Sequence, residues 1–162
     1  TSALVSNLVG KVGFKPPIVA GPFILACGLL YYTGLPVDGT YLGNVLPGLM
    51  IMAVGLGLSF VSVTIAATTG VPKDESGLAS GILNTSQQVG GSLGLAILSA
   101  AYAATFKEAM LSTQGNMVQA QVAGFHDAFK IGVGFALFGS FLALILIKNK
   151  VVTGKEAHVP AA

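Results

Sequence analysis

Charge-free apolar stretches alternate with short polar segments along this chain, at residues 18–34, 45–70, 78–106 and 131–147. Each stretch has 17 or more residues, and a helix rising ~1.5 Å per residue needs about 20 to cross a bilayer. A soluble bundle would require a polar stripe on each helix, and the first and last stretches have none. The pattern predicts an all-α polytopic membrane protein with four spans, at about residues 17–34, 45–70, 77–104 and 129–147.

The third stretch has a polar centre, because five consecutive polar residues occupy positions 84–88. Residues three and four apart share one face of a helix. That spacing predicts a strip along one face of the helix that contains Ser80, Asn84, Gln87, Gly91 and Gly94. Gln88 lies beside this strip. An amide facing lipid without a partner costs on the order of several kcal/mol, so the strip should face protein or water. Two interpretations stay open: the amides bind neighbouring helices, or they line a water-filled cavity and contact a substrate.

Glycines flank this polar centre at small-xxx-small spacing, which allows two helix backbones to approach closely. The pairs are Gly77/Gly81 and Gly90/Gly94, with Gly91 between the latter two. We therefore expect these five glycines to contact another helix. By the same argument, leucine should be tolerated better at Gly48, near the outer end of its span, than at Gly94.

Charge is sparse, since charged residues make up 9% of the chain and hydrophobic residues 53%, with a net charge of +2. The eight basic residues are all lysines and do not cluster as nucleic-acid binding requires. With four crossings, six lysines (11, 15, 73, 148, 150 and 155) fall on one side and two (107 and 130) on the other. The positive-inside rule places the six, and the tail at 151–162, in the cytoplasm. Residues 107–127 should form the longest connection.

Catalytic and cofactor motifs are not apparent. The GxG fragment at residues 54–60 follows no strand, and no phosphate-binding loop is present. His126 and His158 are unpaired as metal ligands, and Asp127 fits a helix cap. All six acids are expected in loops, helix ends or the tail, and the lone Cys27 is expected to be a small buried hydrophobe. The sequence thus predicts neither an enzyme nor a cofactor or metal site.

The run GLASGILNTSQQVGGSLGLAIL, residues 77–98, resembles the penultimate helix of the fourteen-helix drug:proton antiporter branch of the major facilitator superfamily. The matching positions are Gly77, Ser80, Gly81, Asn84, Thr85, Gln88, Gly90, Gly91 and Gly94. The segment LVGKVGFKPPIVAG resembles the family's short cytoplasmic turn through Lys11, Gly13 and Lys15. Two positions depart from the pattern: Gln87 stands where a basic residue is frequent, and Gly10 replaces the acid of the turn.

The resemblance implies a C-terminal fragment of a secondary-active multidrug efflux transporter that exchanges drug for protons in the inner membrane. Residues 1–10 would end a preceding helix and 11–150 would form the four-helix segment. The implied partners are the bilayer, the missing N-terminal helices and a small lipophilic drug-like substrate, with Ser80, Asn84, Gln87 and Gln88 as the substrate-lining candidates. The alternative is a small self-contained four-helix membrane protein that oligomerises through its glycine faces.

Overall fold

The computed structural model describes residues 15–68, 71–72, 74–114 and 116–147, and within these ranges it contains helices and short connections but no strand. The helices are α1 (Lys15–Tyr32), α2 (Leu46–Thr68), α3 (Ser76–Ser112) and α4 (Met117–Leu146). A π-helical turn, Tyr41–Val45, leads directly into α2. The predicted helix end at residues 1–10 and the tail at 151–162 lie outside the described residues.

Three segments of the described chain are long and apolar enough to cross a membrane: Tyr41–Ala67, Ser76–Ser112 and Met117–Leu146. They confirm the all-α membrane architecture that the charge-free stretches predict. Helix α1 has 18 residues and begins with Lys15 followed by two prolines, which lowers its hydropathy. It is not among the three, so the first of the four predicted spans stays a prediction.

Helices α3 and α4 extend well beyond the apolar runs that predicted them. The expected long connection at 107–127 is wrong, because α3 continues to Ser112 and α4 begins at Met117. Asn116 caps α4, since its side-chain oxygen accepts from the backbone N–H of Gln119 at 3.2 Å. Asp127, expected as that cap, lies well inside α4.

Two other expectations about single residues are also wrong. Asp127 lies well inside α4, so the acids are not confined to loops, helix ends and the tail. Cys27 is exposed on α1 instead of buried, because α1 turns the neighbouring Ala26 and Gly28 toward the other helices.

Helices α1 and α2 are antiparallel and meet along glycines spaced seven residues apart, Gly21 and Gly28 on α1 and Gly48 and Gly55 on α2. A Cβ built on Gly55 would lie 2.6 Å from the backbone nitrogen of Leu25 and 2.8 Å from the carbonyl oxygen of Gly21. Small residues at such an interface let two backbones touch.

Gly48 belongs to this tightly packed interface. The ring of Tyr32 occupies the space into which a Cβ at Gly48 would project, and the Tyr32 hydroxyl donates to the carbonyl of Val45 at 2.6 Å. Leucine at Gly48 would therefore meet the Tyr32 ring, and whether it is milder than leucine at Gly94 stays a prediction. The position of Gly48 near a helix end does not leave it open, because this aromatic side chain covers it.

Helix α4 lies between α1 and α3 and contacts both. Its buried residues are small and recur at multiples of four residues, and they comprise Ala120, Gly124, Ala128, Gly132 and Ser140. The Ser140 hydroxyl donates to the carbonyl oxygen of Val19 at 2.8 Å, which ties one end of α4 to α1. Near its other end, His126 Nε2 lies 3.0 Å from the carbonyl oxygen of Leu35. The spatial order of the helices is therefore α2, α1, α4, α3.

Candidate functional site

The predicted polar strip is the open half of a longer packing face on α3. Consecutive members of this face are three or four residues apart, which keeps them on one side of a helix; they are Ser80, Asn84, Gln87, Gly91, Gly94, Leu98, Tyr102, Thr105 and Ala109. From Leu98 onward the face packs against α4. From Ser80 to Gly94 no helix of the described chain covers it.

Aromatic packing and a hydrogen bond hold the covered half against α4. The ring of Tyr102 lies over Gly124, where an added Cβ would come within 2.8 Å of its Cδ2 atom, and its centroid is 4.8 Å from that of Phe125. The Thr105 hydroxyl donates to Asp127 Oδ2 at 2.9 Å. One end of α3 is thus held firmly while the other remains uncovered.

In the open half, Ser80, Asn84 and Gln88 are exposed and Gln87 is half-buried. None of the three amide side chains makes a hydrogen bond to another residue in the described part of the chain. Two hydroxyls nearby are satisfied within α3 itself, since Thr85 donates to Gly81 and Ser92 donates to Gln88. Asn84, Gln87 and Gln88 therefore offer uncharged donors and acceptors that a ligand, water or another helix could use.

The five glycines around the strip make no close contact to another helix in the described chain. A Cβ added at each of them would meet nothing within 4 Å, and they are Gly77, Gly81, Gly90, Gly91 and Gly94. The helix contact that the sequence predicts for them therefore needs a surface outside the described residues, and their packing role stays a prediction.

Sequence reasoning missed an aromatic cleft of about 260 Å³ between α1, the π-helical turn and α4. Its lining residues are Tyr32, Leu35, Val45, Leu49, Val122, Phe125, His126 and Phe129. The Tyr32 and Phe129 ring centroids are 5.4 Å apart, and His126 closes one end through its contact with Leu35. These partners are far apart in sequence, so no local pattern could have indicated the cleft.

A charged group at the α3–α4 contact was also missed. Lys130 Nζ lies 2.7 Å from Asp127 Oδ1, while the other carboxylate oxygen of Asp127 accepts from Thr105. The i, i+3 spacing of Asp127 and Lys130 was visible in the sequence, but the participation of Thr105 was not. The third span was expected to end at residue 104 and the fourth to begin at residue 129, so neither Thr105 nor Asp127 was expected in a helix.

These features lie on helices that include three segments long and apolar enough to cross a membrane. The family model of the Major Facilitator Superfamily matches residues 1–95, and the chain belongs to that family. It is a multi-pass membrane protein of the all-α major facilitator type.

Several curated relatives are transport or resistance proteins. The chain is 37% identical to the multidrug resistance protein Stp of Mycobacterium tuberculosis, over 64% of this chain and 19% of that protein. It is 29% identical to the puromycin resistance protein pur8 of Streptomyces alboniger, over 99% of this chain and 34% of that protein. It is 36% identical to the cephamycin export protein CmcT of Amycolatopsis lactamdurans, over 59% of this chain and 20% of that protein.

The chain thus spans about a third or less of the length of these relatives. No solved structure matches it.

Proposed function

We propose that this chain is the C-terminal part of a secondary-active multidrug efflux transporter and acts in transport rather than in catalysis. The observation that carries the proposal is the open half of the α3 packing face. Its three amide side chains make no hydrogen bond to another described residue, and no described helix covers them. Relatives named for multidrug resistance, puromycin resistance and cephamycin export support an efflux role. The substrate in this proposal is a small, lipophilic, drug-like compound.

In this proposal Ser80, Asn84, Gln87 and Gln88 line the substrate path. If α3 enters the membrane from the cytoplasm near Leu78, positions 84 to 88 lie about 9–15 Å deep at ~1.5 Å per residue. That depth is close to the midplane, where transporters of this kind place their substrate sites. A few well-placed uncharged donors and acceptors suit a mostly apolar ligand, since they orient it without requiring a charge on it.

The strip contains no carboxylate, so the proton-binding group of a drug:proton antiport mechanism would lie outside it. Proton relays in membranes use acidic or histidine side chains. The N-terminal helices of the parent transporter would supply the opposite wall of the path, because superfamily transporters bind substrate between two halves and rock around that site.

We further propose that the chain lies in the inner membrane with the α2–α3 connection and the tail in the cytoplasm, while Thr40 and Asn116 are outside. The six-to-two division of lysines supports this orientation. Lys73 and the tail lie outside the described residues, so the adjacent exposed Glu75 serves as the cytoplasmic probe.

Single-cysteine labelling of the full-length transporter in intact cells tests this topology. The exposed Cys27 is first replaced in a Cys27→Ser background. We expect a membrane-impermeant thiol reagent to modify Asn116→Cys, and to modify Glu75→Cys only after the membrane is opened. Labelling of Glu75→Cys but not Asn116→Cys from outside would reverse the orientation.

Efflux measurements on Gln88 variants test the transport proposal. Gln88→Leu removes the amide at similar length, and Gln88→Asn retains the amide but shortens the side chain. If Gln88 contacts substrate, Gln88→Leu should change the efflux of chemically different compounds unequally, by roughly tenfold for those that hydrogen-bond to it, since each 1.4 kcal/mol corresponds to a factor of ten. Equal loss for every compound at matched expression would instead indicate a packing role.

A further inference from the structure

The Thr105–Asp127 hydrogen bond differs from the other hydroxyl contacts of α3. Serine and threonine in a helix commonly donate to a carbonyl of their own preceding turn, as Thr85 does to Gly81 and Thr113 does to Ala109. Thr105 instead donates across the helix contact to α4, at 2.9 Å. Lys130 holds the opposite oxygen of the same carboxylate at 2.7 Å, so the acceptor is oriented from both sides.

This bond lies on the same face of α3 as the polar strip. Thr105 is 18 residues beyond Gln87, which corresponds to about five turns at 3.6 residues per turn and about 27 Å along the axis. The two side chains therefore project in the same direction. Helix α3 is continuous α-helix between them, so any rotation of α3 at Thr105 also turns Gln87.

The remaining contacts in the covered half do not fix rotation as strongly. Tyr102 packs over Gly124 and against Phe125, and such contacts tolerate some rolling because the burial of apolar surface is non-directional. A hydrogen bond is directional and weakens steeply when its angle is distorted. At the glycines of the open half an added Cβ would meet nothing within 4 Å, so these positions do not restrain the rotation of α3.

We propose that Thr105 and Asp127 are positioning residues that set the rotation of α3 and thereby the direction in which the amide strip faces. They do not contact substrate in this proposal. They act through Asn84, Gln87 and Gln88, about five turns away. The inference rests on the proposed function, because the strip must face the transport path for its direction to matter.

Cysteine accessibility across two turns of α3 tests this inference in the full-length transporter. Single cysteines are placed in turn at positions 84 to 91 in the Cys27→Ser background, and the rate of reaction with a hydrophilic thiol reagent is measured at each. In the wild-type helix we expect the fastest reaction at positions 84, 87, 88 and 91. In Thr105→Val, which keeps the shape of the side chain but not its donor, a partial roll of α3 should change the rates at positions 87 and 88 in opposite directions by at least about twofold, because these positions lie on opposite flanks of the strip.

Matched variants separate positioning from general stability. Thr105→Ser retains the hydroxyl and should restore the wild-type pattern. Ser112→Ala removes a hydroxyl that bonds within α3 itself and should leave the pattern unchanged. Thr105→Ala serves as the second variant if Thr105→Val does not accumulate. A loss of folded protein lowers all rates together and does not change them in opposite directions.

Each outcome decides a different claim. An unchanged pattern in Thr105→Val or Thr105→Ala overturns the positioning role and leaves the proposed function standing. A wild-type helix with no faster reaction at strip positions than elsewhere overturns the proposed function and this inference together. A shifted pattern that Thr105→Ser restores supports the positioning role.

Discussion

Leucine at Gly55 should remove most of the folded transporter. A Cβ at this position would lie within 3 Å of two backbone atoms of α1, the nitrogen of Leu25 and the carbonyl oxygen of Gly21. Backbone atoms cannot rotate away as the end of a flexible side chain can, so α1 and α2 would have to separate. Overpacking typically costs about 1–3 kcal/mol and occasionally more, and we expect about 3 kcal/mol or more here.

Gly57→Leu is the matched control, because it adds the same side chain to the same helix two residues away, where a Cβ would meet nothing within 4 Å. The yield of monodisperse, detergent-extracted transporter measures the effect. We expect Gly57→Leu to remain near the wild-type yield while Gly55→Leu falls by at least tenfold. Similar yields for the two variants would show that α1 and α2 do not meet at these glycines.

Leucine at Gly94 should also destabilise the full-length transporter, although no helix in the described chain covers this glycine. If the helices outside the described residues pack against the open half of α3, a side chain at Gly94 would push them away. We therefore expect Gly94→Leu to destabilise the full-length transporter by about 1–3 kcal/mol, with Gly94→Ala much closer to wild type because it adds only one methyl group.

Ala96→Leu controls for an added apolar side chain on α3. Ala96 is exposed and, two residues from Gly94, lies on the other side of the helix. Thermal unfolding of the purified full-length protein measures all three variants. Equal midpoints for Gly94→Leu and Ala96→Leu would contradict a close helix contact at Gly94 and would leave the surface there open to water or substrate.

The sequence predicted the helical membrane architecture well and the ends of the helices poorly. Residues 45–70 are apolar and uncharged, and α2 occupies nearly this range. Lys107 and Glu108 end the apolar run of α3 but favour helix strongly, so they mark a change of hydropathy rather than an end of the helix. The helix instead ends near Gln114, which has a positive φ of 54°, and Asn116 starts α4.

Within the described chain, the close helix contacts occur at glycines other than the five that the sequence indicated. Small-xxx-small spacing shows that a helix can approach another, but it does not identify the partner. Gly90 and Gly94 have the spacing and are open, whereas Gly21 and Gly55 contact each other's helices through backbone atoms. Only the positions of both helices distinguish these cases.

The candidate site could be predicted only in part. Three- and four-residue spacing correctly grouped Ser80, Asn84 and Gln87 on one face, since that follows from helix geometry alone. The continuation of this face into the contact with α4, and the Thr105–Asp127 bond within it, depend on residues 22 positions apart in sequence. No local pattern contains that information.

The central claim is that the open amide strip of α3 faces the substrate path, and efflux by Gln88→Leu tests it most directly. The measurement compares several chemically different compounds at matched expression, with Gln88→Asn as the variant that keeps the amide. The proposal predicts unequal changes among compounds for Gln88→Leu and a different, also unequal, profile for Gln88→Asn. A uniform reduction for all compounds in both variants would contradict it and would indicate that the amides only hold neighbouring helices.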